Sequence, residues 1–199
     1  MEFQDVVRKR KMVRSFEDRE IPSEIVDRIL ANAQKAPSAG FSQPFQFIVF
    51  ESKEEVARFW DVANPDRDGG WPDLFNAPLM IVCCSVKDLA LDRYALPDKN
   101  WTDRSESHWP VPYWDIDTAM AAMIVLLTSV DARLGALFFG IFRMNEFKET
   151  FGVPERVTPI GAIAIGYAKP KDRPSPSLKI VGRRPPEQLI HRGMWGKHA

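Results

Sequence analysis

The chain has 199 residues, 45% of them hydrophobic, and its 27 basic and 27 acidic residues cancel to zero formal charge. That length and apolar content suffice for a sizeable core. The charge balance argues against a general nucleic-acid or anionic-membrane surface and leaves room only for local patches. The N-terminus lacks a secretory apolar region, and the longest apolar run, 119–127, is far shorter than the about 20 residues a membrane helix needs, so a soluble cytoplasmic protein is expected.

Phe3, Val6 and Val7 have helical spacing, so residues 1–10 read as a short helix. It runs into Arg8-Lys9-Arg10-Lys11-Met12-Val13-Arg14, with five bases in seven positions. Such a run is a solvated helix end, a nucleic-acid arm or an anion clamp, and the segment alone favours the first. Residues 15–21 look extended. A helix follows from Pro22-Ser23, with Ser23 as its expected N-cap and Ile25, Val26, Ile29, Leu30 and Ala33 as its apolar stripe.

That helix delivers the chain to a loop of small and polar residues, Ala36-Pro37-Ser38-Ala39-Gly40-Phe41-Ser42-Gln43-Pro44, with Gly40 free to take a positive φ. It is either an ordinary helix-to-strand connection or a wall that lets backbone groups approach a flat ligand. Residues 45–51 read as a strand. Ser52-Lys53-Glu54-Glu55 is a capping box opening a helix to about residue 63. Residues 64–75, with Gly69-Gly70, read as loop.

The continuous apolar run 77–86 is expected to be a central strand. Its adjacent Cys83 and Cys84 point to opposite faces and read as core residues without a disulfide or metal role. Residues 87–113 are too long for a mere connector. A short helix near 89–96 is expected, and Tyr94, Trp101, Trp109 and Tyr113 either line a pocket or anchor an irregular loop.

The strongest helix spans 118 to about 133, capped by Asp115 or Asp117. It is apolar around nearly its whole circumference, and so is buried in the core or in a subunit interface. Gly135 suits its end. Residues 136–140 read as a short strand or loop, 145–151 as a helix and 158–168 as a strand. Five prolines after Lys169 make 169–199 an extended arm with a docked end at 188–195. No internal repeat or boundary divides the chain, so one α+β domain is expected over 1–199.

His108, His191 and His198 form no H-x-x-x-H pair, and no G-x-S-x-G, G-x-x-x-x-G-K-[ST] or G-x-G-x-x-G motif occurs. Metal hydrolysis, a serine-hydrolase elbow, a P-loop NTPase and a Rossmann domain are therefore disfavoured.

Several short motifs, in this order, resemble the FMN-dependent nitroreductase family. They are Arg10-Lys11-Met12-Val13-Arg14-Ser15-Phe16, Ile21-Pro22, the 36–45 loop, the 115–133 helix with Leu134-Gly135-Ala136, the 160–166 strand and Gly182-Arg183-Arg184-Pro185-Pro186. The likeness covers about two-thirds of the chain and is weak over 52–114. It implies an α+β fold with a mainly antiparallel sheet flanked by helices, in an intertwined homodimer with two FMN molecules at its interface.

The resemblance carries over residue by residue. Arg10 and Arg183 match the phosphate-binding bases, whose planar forks suit bidentate contact. Lys11 and the backbone of Met12 match positions along the phosphate and ribityl chain. Arg14 matches the base near the pyrimidine edge, where a cation stabilises negative charge on the reduced flavin. Pro37, Ser38 and Ala39, with Phe41, match the loop that reaches FMN across the dimer. Leu137, Phe138, Phe139 and Gly140 match the segment near the isoalloxazine ring. The chain departs from common members at Phe41, where many have Asn; at Phe139, where many have Glu; and at Met12, where many have Ser. The first two make the pocket more apolar and aromatic.

The implied activity is transfer of electrons from transiently bound NADH or NADPH through FMN to a nitroaromatic, quinone or similar conjugated acceptor, with no protein acid or base. Tyr94, Trp101, Trp109 and Trp114 are candidates for the acceptor pocket. The alternatives are oxygen-dependent or reductive dehalogenation chemistry on the same cofactor, flavin storage, or a nucleic-acid arm at 8–14, the last disfavoured by the neutral charge and missing motifs.

Overall fold

The computed structural model describes residues 1–67 and 70–197; Gly69 of the expected 64–75 loop and His198 lie outside them. The expected α+β architecture is observed. Helices α1 (Phe3–Lys9) and α2 (Ser23–Ala33) precede strand β1 (Phe45–Phe50) and helix α3 (Lys53–Ala63). Strand β2 (Leu79–Val86) leads directly into α4 (Lys87–Ala95), and α5 (Tyr113–Asp131) into strand β3 (Gly135–Phe139). Helix α6 (Met144–Phe151), strand β4 (Val157–Gly166) and a five-residue helix α7 (Ser177–Val181) complete the order.

The four strands form one antiparallel sheet in the order β1-β2-β4-β3. All eight residues of β2 are buried, which explains its unbroken apolar run: both faces of the sheet are covered. Leu79, Ile81 and Cys83 meet Val26, Ile29, Val125 and Leu126 of α2 and α5. Met80, Val82 and Cys84 meet Phe59, Trp60 and Phe147 of α3 and α6. The two cysteines thus face opposite cores, and burial pushes both thiols up to about 12, far from the reactive range.

The capping box forms as expected: Ser52 Oγ accepts from the Glu55 N–H, and Glu55 Oε2 accepts from the Ser52 N–H. Two other helix starts differ from expectation. Pro22, not Ser23, precedes α2 and its carbonyl takes the first N–H groups, so Ser23 is already helical. Helix α5 begins at Tyr113 with Pro112 as N-cap, which places Asp117 inside the helix, 1% exposed.

By length and composition α5 could cross a membrane (19 residues, mean hydropathy 1.3), but half of it is buried in this fold against α2 and the sheet. Its remaining apolar residues make an outward stripe. Ile116 and Met123 are 40% and 45% exposed, with Ala119, Met120 and Leu127 on the same side.

Beyond β4 the chain runs over the surface. The end expected to dock, 188–195, packs poorly on its own chain: Leu189 is 62% exposed and Trp195 88%.

Candidate functional site

The basic segment after α1 is held along the free edge of β3. Met12 and Ala136 form a parallel bridge, and the Val13 N–H donates to the Ala136 carbonyl at 3.0 Å. Val13 lies so close to Gly135 that a Cβ there would stand 2.8 Å from Val13 Cγ2. Further on, Phe16 bridges Ala168, and its fully buried ring anchors the segment in the core. This pairing brings Met12 and Val13 beside Gly135 and Ala136 at the start of β3, two stretches more than 120 residues apart.

Within the segment Arg10 closes α1 and is partly buried, while Lys11 is exposed. The Arg14 guanidinium donates to the Met12 carbonyl at 3.3 Å and lies 5.2 Å from the centre of the Trp71 ring, so its direction is fixed from two sides. Asp172, at the root of the arm, has a side chain only 3% exposed. It accepts the Arg14 N–H at 2.8 Å and pairs with Lys11 Nζ at 3.3 Å. No pattern marks Trp71 or Asp172, which sit in irregular segments far in sequence from the residues they touch. Arg183 stands exposed on the arm just after Gly182, whose φ of 70° lets the chain turn.

Of the β3 residues, Leu137 and Phe139 are committed to the core face. Leu137 is buried, and Phe139 stacks on Trp60 with ring centres 5.4 Å apart and planes 9° from parallel. Phe138 turns to the opposite face over Gly161, where a Cβ would come within 2.4 Å of its ring. Phe138 and Phe139 are both half-buried, each packed on a different core, and Gly140 is exposed.

The second wall is the 36–43 loop. Gly40 has the expected positive φ, 58°, but so do Phe41 at 58° and Gln43 at 49°, a conformation that costs side-chain-bearing residues energy. Ser38 closes the loop: its carbonyl accepts the Phe41 N–H at 3.0 Å and its Oγ the Gln43 N–H at 2.9 Å. The Ala39 N–H donates to Asp117 Oδ2 at 3.0 Å, and Arg93 Nε donates to the Gly40 carbonyl at 2.7 Å. Burial pushes the Asp117 carboxyl above the ordinary carboxylate range, against the opposing pull of the Ala39 N–H. Pro37 is exposed, and Phe41 is 75% exposed.

The aromatic stretch packs on itself. Tyr94 lies 4.8 Å from Trp101 and 4.3 Å from Trp109, and Trp101 stacks on His108. Trp114, expected as a pocket candidate, is instead 8% exposed and packs with Ala90 and Leu91. The cluster is therefore an anchor, and it reaches the loop through Tyr94, which covers Gly40.

A cleft of about 310 Å³ opens beside the basic segment, lined by Lys9, Lys11, Arg133 and Gly135 among others. A larger one, about 510 Å³, is acidic, with Asp18, Glu20, Glu51 and Glu54, and touches none of the expected site residues. The basic cleft is the one whose charge suits a phosphate.

Residues 7–167 match the Nitroreductase family. A protein from Methanothermobacter thermautotrophicus, named as a candidate NADH dehydrogenase/NAD(P)H nitroreductase, is 28% identical over 172 residues, covering 84% of this chain and 78% of its own. A protein of the same description from Archaeoglobus fulgidus is 28% identical over 190 residues, 94% of each chain. The solved structure of a nitroreductase family protein from Clostridium difficile 630 has the same fold, with a TM-score of 0.74 at 24% identity over 98% of this chain and 99% of its own. The family match spans the basic segment, the 36–43 loop and all four strands, and the chain belongs to the nitroreductase family.

Proposed function

We propose that the protein is an FMN-dependent oxidoreductase that takes electrons from NADH or NADPH and passes them to a small conjugated acceptor such as a nitroaromatic or quinone. The observation that carries this reading is the Val13–Ala136 pairing. It fastens the basic segment to the edge of β3 at Ala136, and Phe138 and Gly140 follow on that strand, where this reading puts the flat ring. The family membership supports it, as do the NAD(P)H nitroreductase descriptions of the relatives.

The residues present fit the cofactor. The donor set, Arg10, Lys11 and Arg183, carries charge and fork geometry suited to a phosphate. The cleft beside Lys11 is basic and bounded by Gly135, where a side chain would leave less room. FMN bound there supplies the two-electron chemistry. Arg14, braced by Trp71, would hold a positive charge that favours the reduced flavin. Pro37, Ser38, Ala39 and Phe41 offer backbone and an apolar surface from the second wall. Leu137 and Phe139 would act from the core side by fixing the strand, and the Met12 backbone would lie along the ribityl chain.

The same reading makes the protein a soluble, cytoplasmic homodimer, with residues 1–199 as one domain and 169–199 as an arm around the partner. Its support is the outward stripe on α5, the apolar arm with Ile180 80% exposed and Trp195 88%, and the edge of β1, which has a neighbouring strand on one side only among the described residues.

An anaerobic titration tests the function. The purified or FMN-reconstituted protein is expected to be yellow, to bleach with NADH or NADPH, and to regain colour with a nitroaromatic. A protein that cannot be loaded with FMN overturns the proposal, and one that bleaches without reoxidation by any conjugated acceptor removes the reductase step.

A further inference from the structure

Two charged residues each hold one peptide group of the second wall. Asp117, inside α5, takes the Ala39 N–H at 3.0 Å; Arg93, on α4, gives a hydrogen bond to the Gly40 carbonyl at 2.7 Å. Neither placement is cheap. A carboxylate 1% exposed in a largely apolar helix loses most of its hydration, a cost normally avoided unless a specific partner requires it. Arg93 is itself held in one orientation by a fork to Asp98, at 2.8 and 2.7 Å, so its Nε is aimed rather than free. Tyr94, the next residue on α4, lies where any side chain at position 40 would stand, 2.7 Å from a Cβ there. The backbone so held is strained at Phe41 and Gln43.

Resting on the FMN reading above, we propose that Asp117 and Arg93 are positioning residues that fix the Ala39–Phe41 backbone in a preformed shape for the flavin. Strain persists only where the surroundings over-determine it, and here α4 and α5 hold two peptide groups with one between them. A wall set before the ligand arrives spares the ordering cost of binding. The clamp also gives the aromatic cluster a purpose: Tyr94, Trp101 and Trp109 brace the helix that carries Arg93.

The test uses the full-length protein with Asp117→Ala, Asp117→Asn and Arg93→Met. Two quantities are measured: the FMN dissociation constant of the apo form by flavin fluorescence, and the hydrogen exchange of the Ala39 amide. Asp117→Ala is expected to weaken FMN binding by about tenfold and to expose the Ala39 amide to exchange. Asp117→Asn keeps an acceptor oxygen and should stay within about twofold, with the amide still protected. Arg93→Met, at a side chain 25% exposed, should weaken FMN several-fold and keep the proposal testable if Asp117→Ala fails to fold.

If the wild type binds FMN and folded Asp117→Ala and Arg93→Met bind it equally well, the clamp is refuted while the FMN reading stands. If the variants lose thermal stability alone, with unchanged affinity well below the melting range, the two residues are only structural and the proposal is likewise overturned. A wild type that takes up no FMN overturns the function itself, a result distinct from either.

Discussion

The Val13 N–H donates to the Ala136 carbonyl at 3.0 Å, and this bond makes the N-terminal basic segment an extra edge of the sheet. It converts two stretches that are remote in sequence into one surface. Without it, Arg10, Lys11 and Arg14 would be a charged tail on a seven-residue helix.

That bond depends on the missing side chain at Gly135. A methyl there would stand 2.8 to 2.9 Å from all three side-chain carbons of Val13, which is 2% exposed and has little room to yield. Gly135→Ala should therefore cost about 1–3 kcal/mol of stability by overpacking and weaken FMN binding as the segment shifts. Urea unfolding and FMN titration measure the two effects. Full stability in the variant would mean that the segment moves away freely and is not part of a fixed wall.

Arg14 offers a test of electrostatics. Its guanidinium is held by the Met12 carbonyl and the Trp71 ring, so its charge has a fixed place. Losing that charge should raise the energy of the reduced, more negative flavin more than that of the oxidised form. Arg14→Ala is expected to lower the two-electron midpoint potential by about 30 mV, equivalent to about 1.4 kcal/mol. Trp71→Ala should lower it less, since the cation remains but wanders. Spectroelectrochemistry decides, and an unchanged potential in Arg14→Ala removes the role assigned to it.

Much of this was legible in the sequence because the responsible forces are local or periodic. The 77–86 run announced a two-faced strand, and Cys83 and Cys84 lie in opposite cores as alternation requires. Gly40 among prolines and serines marked the loop. What was hidden are contacts between irregular segments. Asp172 reaches back across 158 residues to the Arg14 N–H, and no periodicity encodes such a distance. Asp117 was visible but misread: an Asp near a helix start is usually a cap, and only the start at Tyr113 shows that it lies inside. A carboxylate about one turn into a largely apolar helix is itself a signal of a buried partner. The aromatics of 87–114 and the apolar end of the arm had no direction in the sequence. One set turns inward on itself and the other stays exposed.

Asp117 also predicts a pH dependence. Burial raises its folded-state pKa above the unfolded value, so its charged form is disfavoured on folding. The resulting cost is absent below the unfolded pKa, grows as pH rises through the folded pKa, and is complete above it. Asn keeps the acceptor for the Ala39 N–H and never carries the charge. The melting temperature of Asp117→Asn minus that of the wild type should therefore be near zero at about pH 3, grow as pH rises through the folded pKa of Asp117 and level off above it. A difference that is flat or shrinks with rising pH contradicts the assignment of the cost to a buried charge.

Phe41 sets stability against binding. At φ 58° a residue with a Cβ is strained by about 1–2 kcal/mol, and a ring 75% exposed recovers little of that by packing. Glycine removes the strain but gives back roughly 0.5–1 kcal/mol through the greater freedom of the unfolded chain. Phe41→Gly should thus be neutral to more stable by about 1 kcal/mol in the apo form, raising the melting temperature by up to about 4 °C. Yet if the exposed ring is the apolar face that this loop presents to the flavin, the same change should weaken FMN binding several-fold. The sign difference is diagnostic. A fall in apo stability would show that the ring packs on its own chain. A gain in stability with unchanged FMN affinity would show that the strain at Phe41 serves something other than the cofactor.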